Sequence, residues 1–352
     1  MEQKKIALIG CGGMGTGHLR SYRNIPYAKI VAICDIYPGR AAERVAEFFP
    51  DAQVFTDYHE VLNLPGLDAV DICTPNYLHS IIAVEALNHG LHVFCEKPDA
   101  VNVEEALKMK EAAEKNDRVL MVMRNNRYAP DSQYLKKYIE DGKLGEIYAG
   151  RCGWQRRRGI PGKGGWFTTK AQSGGGPLID LGVHMIDLAI WLMGNPTPVT
   201  VSGSTYRKFA DTDVSDSVNS NFGDKMEDGT FDVEDLAMGF IRFDNGACLQ
   251  IEFSWASNIE KENIFVELRG TKAGASWPHL KIFTEEYGNT VDVIPAIQSG
   301  PNRDDHGANL RHFVDVLQGK AEPMFVPQQG VNMIRILRAM YESAEKGCEV
   351  RL

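Results

Sequence analysis

The stretch "GGGPLIDLGVHMID" (residues 174–187) sets three polar side chains, Asp180, His184 and Asp187, into an apolar run behind three glycines. On a helix, Asp180 and His184 lie one turn apart on the same face. An imidazole titrates near neutrality, so His184 has the intrinsic pKa to take a proton from a hydroxyl. Asp180 could orient the ring or hold a neighbouring hydroxyl. The same residues admit plainer uses. A core histidine satisfied by an aspartate needs no function. Metal ligation from i, i+4 and i+7 calls for further His or Cys ligands; none accompany these three, so no metal is expected, and Asp187 is read either as standing behind the reacting pair or as a partner for a nearby cation.

A second chemistry is written at the N-terminus. "IALIGCGGMGTGH" supplies G-x-G-x-x-G as Gly10, Gly12 and Gly15, after a strand-like run and into a helix-like one. Such glycines permit a tight turn, the approach of a pyrophosphate to the backbone and close helix–strand packing, while the helix N-terminus offers unpaired N–H groups to phosphate. Gly13 and Met14 fall within the same turn. Asp35 ends the next strand-like run twenty residues after Gly15, with Ile36 beside it. A carboxylate there accepts from the adenosine ribose hydroxyls and repels a 2'-phosphate, which favours NAD over NADP; Arg40 nearby softens that preference. Two further strand ends, "CTPNYLH" (Thr74, Pro75, Asn76, His79) and "CEKP" (Glu96, Lys97), fall where ligands of parallel sheets bind, although each alone reads equally as a helix entry or a surface turn.

These side chains need elements to carry them. A chain of 352 residues exceeds the usual size of a single core and favours two domains. Residues 4–123 alternate short, doubly apolar runs with amphipathic segments, the pattern of a doubly wound parallel sheet. After residue 124 the strand-like segments lengthen (146–154, 198–208, 232–243, 246–255, 262–269, 279–294) with few helices between them, which predicts an α+β domain over 124–352 with a large, mostly antiparallel sheet. Helices are expected over 131–141, 305–318 and 328–346. The polar stretch 210–231 is expected to be a mobile loop. The net charge of −9 argues against nucleic acid as the main partner. Seven cysteines without C-x-x-C spacing read as reduced thiols of a cytoplasmic protein. The start "MEQKKIALI" is too short in apolar residues for a signal peptide, and no apolar run reads as long enough for a membrane span.

With "GCGGMG" at 10–15, "TPNYLH" at 74–79, "EKP" at 96–98 and "GGGPLIDLGVH" at 174–184, the chain resembles the glucose-fructose oxidoreductase, inositol dehydrogenase and MocA family over essentially its whole length. The resemblance implies a Rossmann domain that binds NAD(P), and a second domain whose open sheet mediates homo-oligomerisation. It implies that Lys97, Asp180 and His184 line the substrate beside the nicotinamide, and that the Lys97–Pro98 bond is strained or isomerised. Lys97 would then place a positive charge beside an oxygen as alkoxide character develops. "RNNRY" (124–128) resembles the family's segment bordering nicotinamide and substrate, with Asn125 toward the cofactor and Arg127 toward the substrate. Between the domains, Trp154 and Trp166 could stack on a sugar ring, and Arg156, Arg157, Arg158 and Lys163 could donate to hydroxyls or an acidic group; a solvated basic loop is the plain alternative. His306, opening a helix, is a further substrate candidate.

These readings converge on an NAD-dependent dehydrogenase acting on a ring hydroxyl of a sugar, glycoside or inositol, for example the 3-position of a glucoside. Two alternatives stay open: a sugar-converting enzyme that retains its NAD without net redox, and a non-catalytic regulator that senses dinucleotide.

Overall fold

The structure is a computed structural model that describes residues 3–215, 217–223, 225–297 and 303–352. It divides into two compact units, Met1–Asn125 with Asp304–Ile334, and Asn126–Arg303 with Arg335–Leu352. The first boundary falls close to the expected one. The return of 304–334 to the first unit departs from the single domain expected over 124–352. Its cause is apolar packing: Leu310, Phe313 and Val314 share a core with Ile6, Leu8, Phe94 and Met121.

The first unit is built on β1 (Lys4–Ile9), β2 (Ala28–Cys34), β3 (Gln53–Phe55), β4 (Ala69–Ile72), β5 (His92–Cys95) and β6 (Leu120–Val122), in the order 3-2-1-4-5-6. Every pairing is parallel. Ala69–Ile72 is buried at all four positions, as a strand covered on both faces must be. The helices of this unit are α1 (Gly13–Tyr22), α2 (Pro38–Phe48), α3 (Tyr58–Leu62), α4 (His79–Asn88) and α5 (Val103–Asn116). β3 and α3 were not anticipated; three residues of half-exposed edge strand and a five-residue helix carry too little periodicity to be read. The strand order reverses between β1 and β4, which opens a ligand crevice at their carboxyl ends. Gly10 and Glu96–Lys97 directly follow β1 and β5, and Thr74 comes one residue after the end of β4.

The second unit contains α6 (Pro130–Glu140) and a nine-stranded sheet. Its strands are β7 (Ile147–Gln155), β8 (Pro198–Tyr206), β9 (Leu236–Phe243), β10 (Cys248–Ser254), β11 (Asn263–Gly270), β12 (Gly274–Trp277), β13 (Lys281–Glu286), β14 (Asn289–Val293) and β15 (Val350–Arg351), in the order 14-13-12-11-7-10-9-8-15. Only the β7–β10 pairing is parallel among them. The segment 279–294, expected as one strand, is a hairpin: Tyr287 and Gly288 adopt φ of 53° and 73°, the two positive values a tight hairpin turn requires.

The helix of the glycine-rich stretch comes in three parts, α7 (Lys170–Ser173), a wide π turn (Leu178–Gly182) and α8 (Val183–Leu192). Taken as one run, Lys170–Leu192 is long and apolar enough to cross a membrane by length and composition, contrary to the sequence reading, yet most of it is buried within the protein. Gly174, at φ 86°, ends α7 within it. α9 (Asp305–Leu317) belongs to the first unit, and α10 (Pro327–Lys346) begins in the first and ends in the second.

The stretch 210–231 is docked rather than loose. Met226 N–H bonds the Lys163 carbonyl at 2.9 Å, the Thr168 hydroxyl bonds the Thr230 carbonyl at 2.7 Å, and Phe222 packs edge-on against Phe167. Gly164 and Gly229 approach so closely that a Cβ on either would fall 1.9 Å from the backbone of the other segment. Asp216 and Asp224 of this stretch lie outside the described residues.

Candidate active site

The turn after β1 has the geometry of a dinucleotide cradle. Gly10 stands at φ 90°, and a Cβ there would lie 2.6 Å from the Cys73 carbonyl oxygen; a Cβ on Gly15 would lie 2.1 Å from the Gly10 oxygen. These two glycines are required by close packing. Gly12 differs: a Cβ there would meet only the Arg40 guanidinium, at 3.9 Å, so its missing side chain leaves open space beside the helix N-terminus. No side chain caps α1, so the N–H groups at Gly13, Met14 and Gly15 have no partner from their own helix. The residues fit a pyrophosphate. Asp35, almost fully buried, accepts the Cys11 and Tyr37 N–H groups at 3.0 Å each, which fixes its carboxylate at the end of β2. Arg40 lies 3.7 Å from that carboxylate and over the Tyr37 ring. Ile36 is 76% exposed beside it. After β4, the buried Thr74 hydroxyl has no hydrogen-bond partner among the described residues, Pro75 precedes a short 3₁₀ turn (Asn76–Leu78), and Asn76 is buried. Asn125 opens the 3₁₀ turn Asn125–Tyr128 past β6.

Two of the expected cofactor residues make bonds within the protein. Both ring nitrogens of His79 face carbonyls at 2.8 Å, those of Thr74 and Pro98, so the side chain ties the ends of β4 and β5 together. Glu96 spends one oxygen on the His18 ring at 2.9 Å and the other on the Lys97 N–H at 3.1 Å. Lys97 itself is partly exposed, and the Lys97–Pro98 peptide is cis. His306, expected at the substrate, belongs to the first unit; it is partly buried there, and desolvation lowers its pKa against the opposing charge of Glu96.

In the second unit every residue from Pro177 to Leu192 is buried except Asp180, His184 and Ile190, which are partly exposed. The π turn carries Asp180 and α8 begins just before His184, so the two share the accessible face; such widened turns recur at functional positions. The Trp255 indole N–H donates to Asp180 Oδ2 at 3.0 Å, and the Trp154 ring lies 6.2 Å from the His184 ring, tilted by 52°. Arg156 is 5% exposed, with its guanidinium 5.0 Å over Trp154 and one N–H on the Gly159 carbonyl. Burial lowers its pKa, opposed by the charges of Asp180 and Glu262.

The start of this helix explains the glycines. The Glu234 carboxylate accepts the Gly176 and Leu178 N–H groups, at 2.9 and 3.1 Å, and the Tyr341 hydroxyl at 2.9 Å. A Cβ on Gly175 would lie 1.9 Å from that hydroxyl, and one on Gly176 would lie 2.0 Å from the Glu234 carbonyl oxygen. Burial holds the Glu234 carboxyl above the usual carboxylate range.

Arg127, expected toward the substrate, lies in a buried ion pair. It is 1% exposed and binds both Asp187 oxygens, at 2.7 and 2.8 Å. Arg158 donates to the Arg157 and Ser257 carbonyls and to Asn258, with its guanidinium over Phe209. Trp166 stacks on Phe167 at 3.9 Å in a 3₁₀ turn and stays half-buried. Sequence reasoning missed Trp255, Glu234, Tyr341, His18 and Asp71. His18 alone had a readable signal, a histidine one turn after Gly15 on the phosphate-binding helix.

A parallel sheet of order 3-2-1-4-5-6 with a glycine cradle, joined to a unit that exposes an aspartate–histidine pair, defines a pyridine-nucleotide oxidoreductase. The comparisons agree. Residues 4–124 match the oxidoreductase family with NAD-binding Rossmann fold, and 132–276 match the GFO/IDH/MocA C-terminal domain. The chain is 34% identical over 350 residues to D-glucoside 3-dehydrogenase of Escherichia coli (strain K12), covering 99% of this chain and 97% of that one. It is 32% identical to levoglucosan dehydrogenase of Pseudarthrobacter phenanthrenivorans, over 92% of this chain and 82% of the relative. A solved levoglucosan dehydrogenase in complex with NADH superposes with a TM-score of 0.86 at 26% identity, covering 99% of each chain. The chain belongs to the Gfo/Idh/MocA family of oxidoreductases.

Proposed function

We propose that this enzyme oxidises a ring hydroxyl of a sugar, glycoside or inositol with NAD⁺, and that the 3-hydroxyl of a glucoside is the first substrate to test. The observation that carries the reading is the partly exposed Asp180–His184 pair on a mostly buried helix, walled by Trp154 and Trp255. Aromatic faces suit the C–H side of a pyranose, and a carboxylate beside an imidazole suits its hydroxyls. The 34% identity to a D-glucoside 3-dehydrogenase supports the choice of ring.

In this reading His184 takes the proton of the reacting hydroxyl. Asp180, its carboxylate steadied by the Trp255 N–H, holds the neighbouring hydroxyl. Lys97 stabilises the oxygen as negative charge develops on it. The Gly10–Gly15 turn would hold the pyrophosphate and Asp35 the adenosine ribose. When bound, the nicotinamide supplies the hydride acceptor. The enzyme works in the cytoplasm with its thiols reduced, and associates into a homo-oligomer through its nine-stranded sheet, where Tyr148, Met238 and Phe283 are exposed.

A panel of methyl glucosides, free monosaccharides and inositols, scored for NADH formation, tests the reading. Turnover of a glucoside with NAD⁺ is expected. Failure across the whole panel, with no dinucleotide bound, overturns it in favour of a regulatory protein. Lys97→Ala should lower kcat by about 10³-fold while leaving NAD affinity within about threefold.

A further inference from the structure

Behind Lys97 lies a charge cluster buried in the first unit. His18, on α1, is inaccessible to solvent. Its Nδ1 lies 2.8 Å from Asp71 Oδ2 and its Nε2 lies 2.9 Å from Glu96 Oε1, and both carboxylates are themselves buried. A neutral imidazole has one N–H, so between two ionised carboxylates only an imidazolium satisfies both contacts. Glu96 then passes the constraint on, because its other oxygen accepts the Lys97 backbone N–H. We propose that His18 is a positioning residue for the reaction: clamped between Asp71 and Glu96, it fixes the end of β5 and so holds Lys97 in its working geometry.

The proposal rests on Lys97 acting on the substrate. The groups facing His18 are Asp71 from β4, Cys73 just past it, Glu96 just past β5 and His306 from α9, while Tyr22 of α1 bears on the same Asp71 and Cys73. Desolvation opposes its charge and the Asp71 carboxylate favours it; the balance raises the His18 pKa well above its usual value. The His18 partner keeps Glu96 far below the usual carboxylate range despite its burial. His18, Asp71 and Cys73 also bring three potential metal-ligand atoms within 4.8 Å of one another. The 2.8 Å between Nδ1 and Oδ2 is a hydrogen-bond length, however, shorter than the roughly 3.3 Å edge of a tetrahedral zinc site with bonds of about 2.0 Å.

Two substitutions separate the two carboxylate contacts. The amide of His18→Gln reaches the Nε2 position and keeps a donor for Glu96, whereas that of His18→Asn reaches only the Nδ1 position and keeps the donor for Asp71. With methyl glucoside and NAD⁺, His18→Asn should lower kcat by about 30-fold, with KM and dinucleotide Kd within about threefold, and His18→Gln should stay within about fivefold of wild type. Equal losses in the two variants, or loss of thermal stability without loss of kcat, overturn the proposal. If Lys97→Ala turns over normally, it is the reading of Lys97 that fails; if Lys97→Ala is inactive while the His18 variants match each other, His18 positioning alone fails. Independently of any substrate, nitrogen NMR of histidine-labelled protein should show both His18 ring nitrogens protonated at neutral pH. A singly protonated ring, or stoichiometric zinc in the purified protein that His18→Asn loses, overturns the clamp.

Discussion

The two units hold their chemistry by different means. In the first, Lys97 is set by a line of buried charges, Asp71, His18 and Glu96, running from β4 through α1 to β5. In the second, Asp180 and His184 are set by backbone packing: glycines let the helix start against Glu234 and Tyr341, and one carboxylate occupies the N–H groups of its first turn. A charge line answers to protonation. A packed backbone answers to volume.

The largest expected effect tests a place where the second unit also relies on buried charge. Asp187→Ala strands the Arg127 guanidinium and should cost about 4 kcal/mol of unfolding free energy, measured by denaturant titration. A cost under about 1 kcal/mol would show that the pair only fills space. Next comes volume: Gly176→Ala forces a methyl group onto the Glu234 backbone and should cost about 2 kcal/mol. It should also cut kcat more than tenfold, because the helix start shifts under Asp180. Unchanged activity would mean that the glycine approach does not position the pair.

In the first unit protonation should act through His18 and Glu96. The folded-state pKa of His18 is raised, so its stabilisation is fully present below the ordinary value of 6.5 and is lost as pH rises toward the folded value. That of Glu96 is lowered, so its stabilisation is present above 4.5 and is lost as pH falls. The thermal stability of wild type over His18→Gln should therefore be greatest between pH 4.5 and 6.5 and decline above it by about 1.4 kcal/mol per pH unit. A flat difference would place a neutral imidazole in the core. The smallest effect is expected from Tyr341→Phe, which removes one of three donors to Glu234 and should cost about 1 kcal/mol, with kcat reduced less than in Gly176→Ala.

Much of this molecule was legible from the chain alone. Period and spacing are local properties, so the alternating apolar runs before residue 124, the G-x-G-x-x-G turn with Asp35 beyond it, and the one-turn spacing of Asp180 and His184 read directly from residue types. So did the longer strands of the second sheet, although the 279–294 hairpin and the return of 304–334 did not. What only the tertiary structure decided is where polar groups spend their hydrogen bonds. Arg127 and Glu96 look in sequence like ligands for substrate and cofactor, and each is consumed by a partner 60 and 78 residues away. Trp255, Glu234 and Tyr341 carry no local pattern and gain their roles from contacts 75, 58 and 107 residues distant in the chain. A buried polar group must find its partner in space, and the chain order does not say which one it meets.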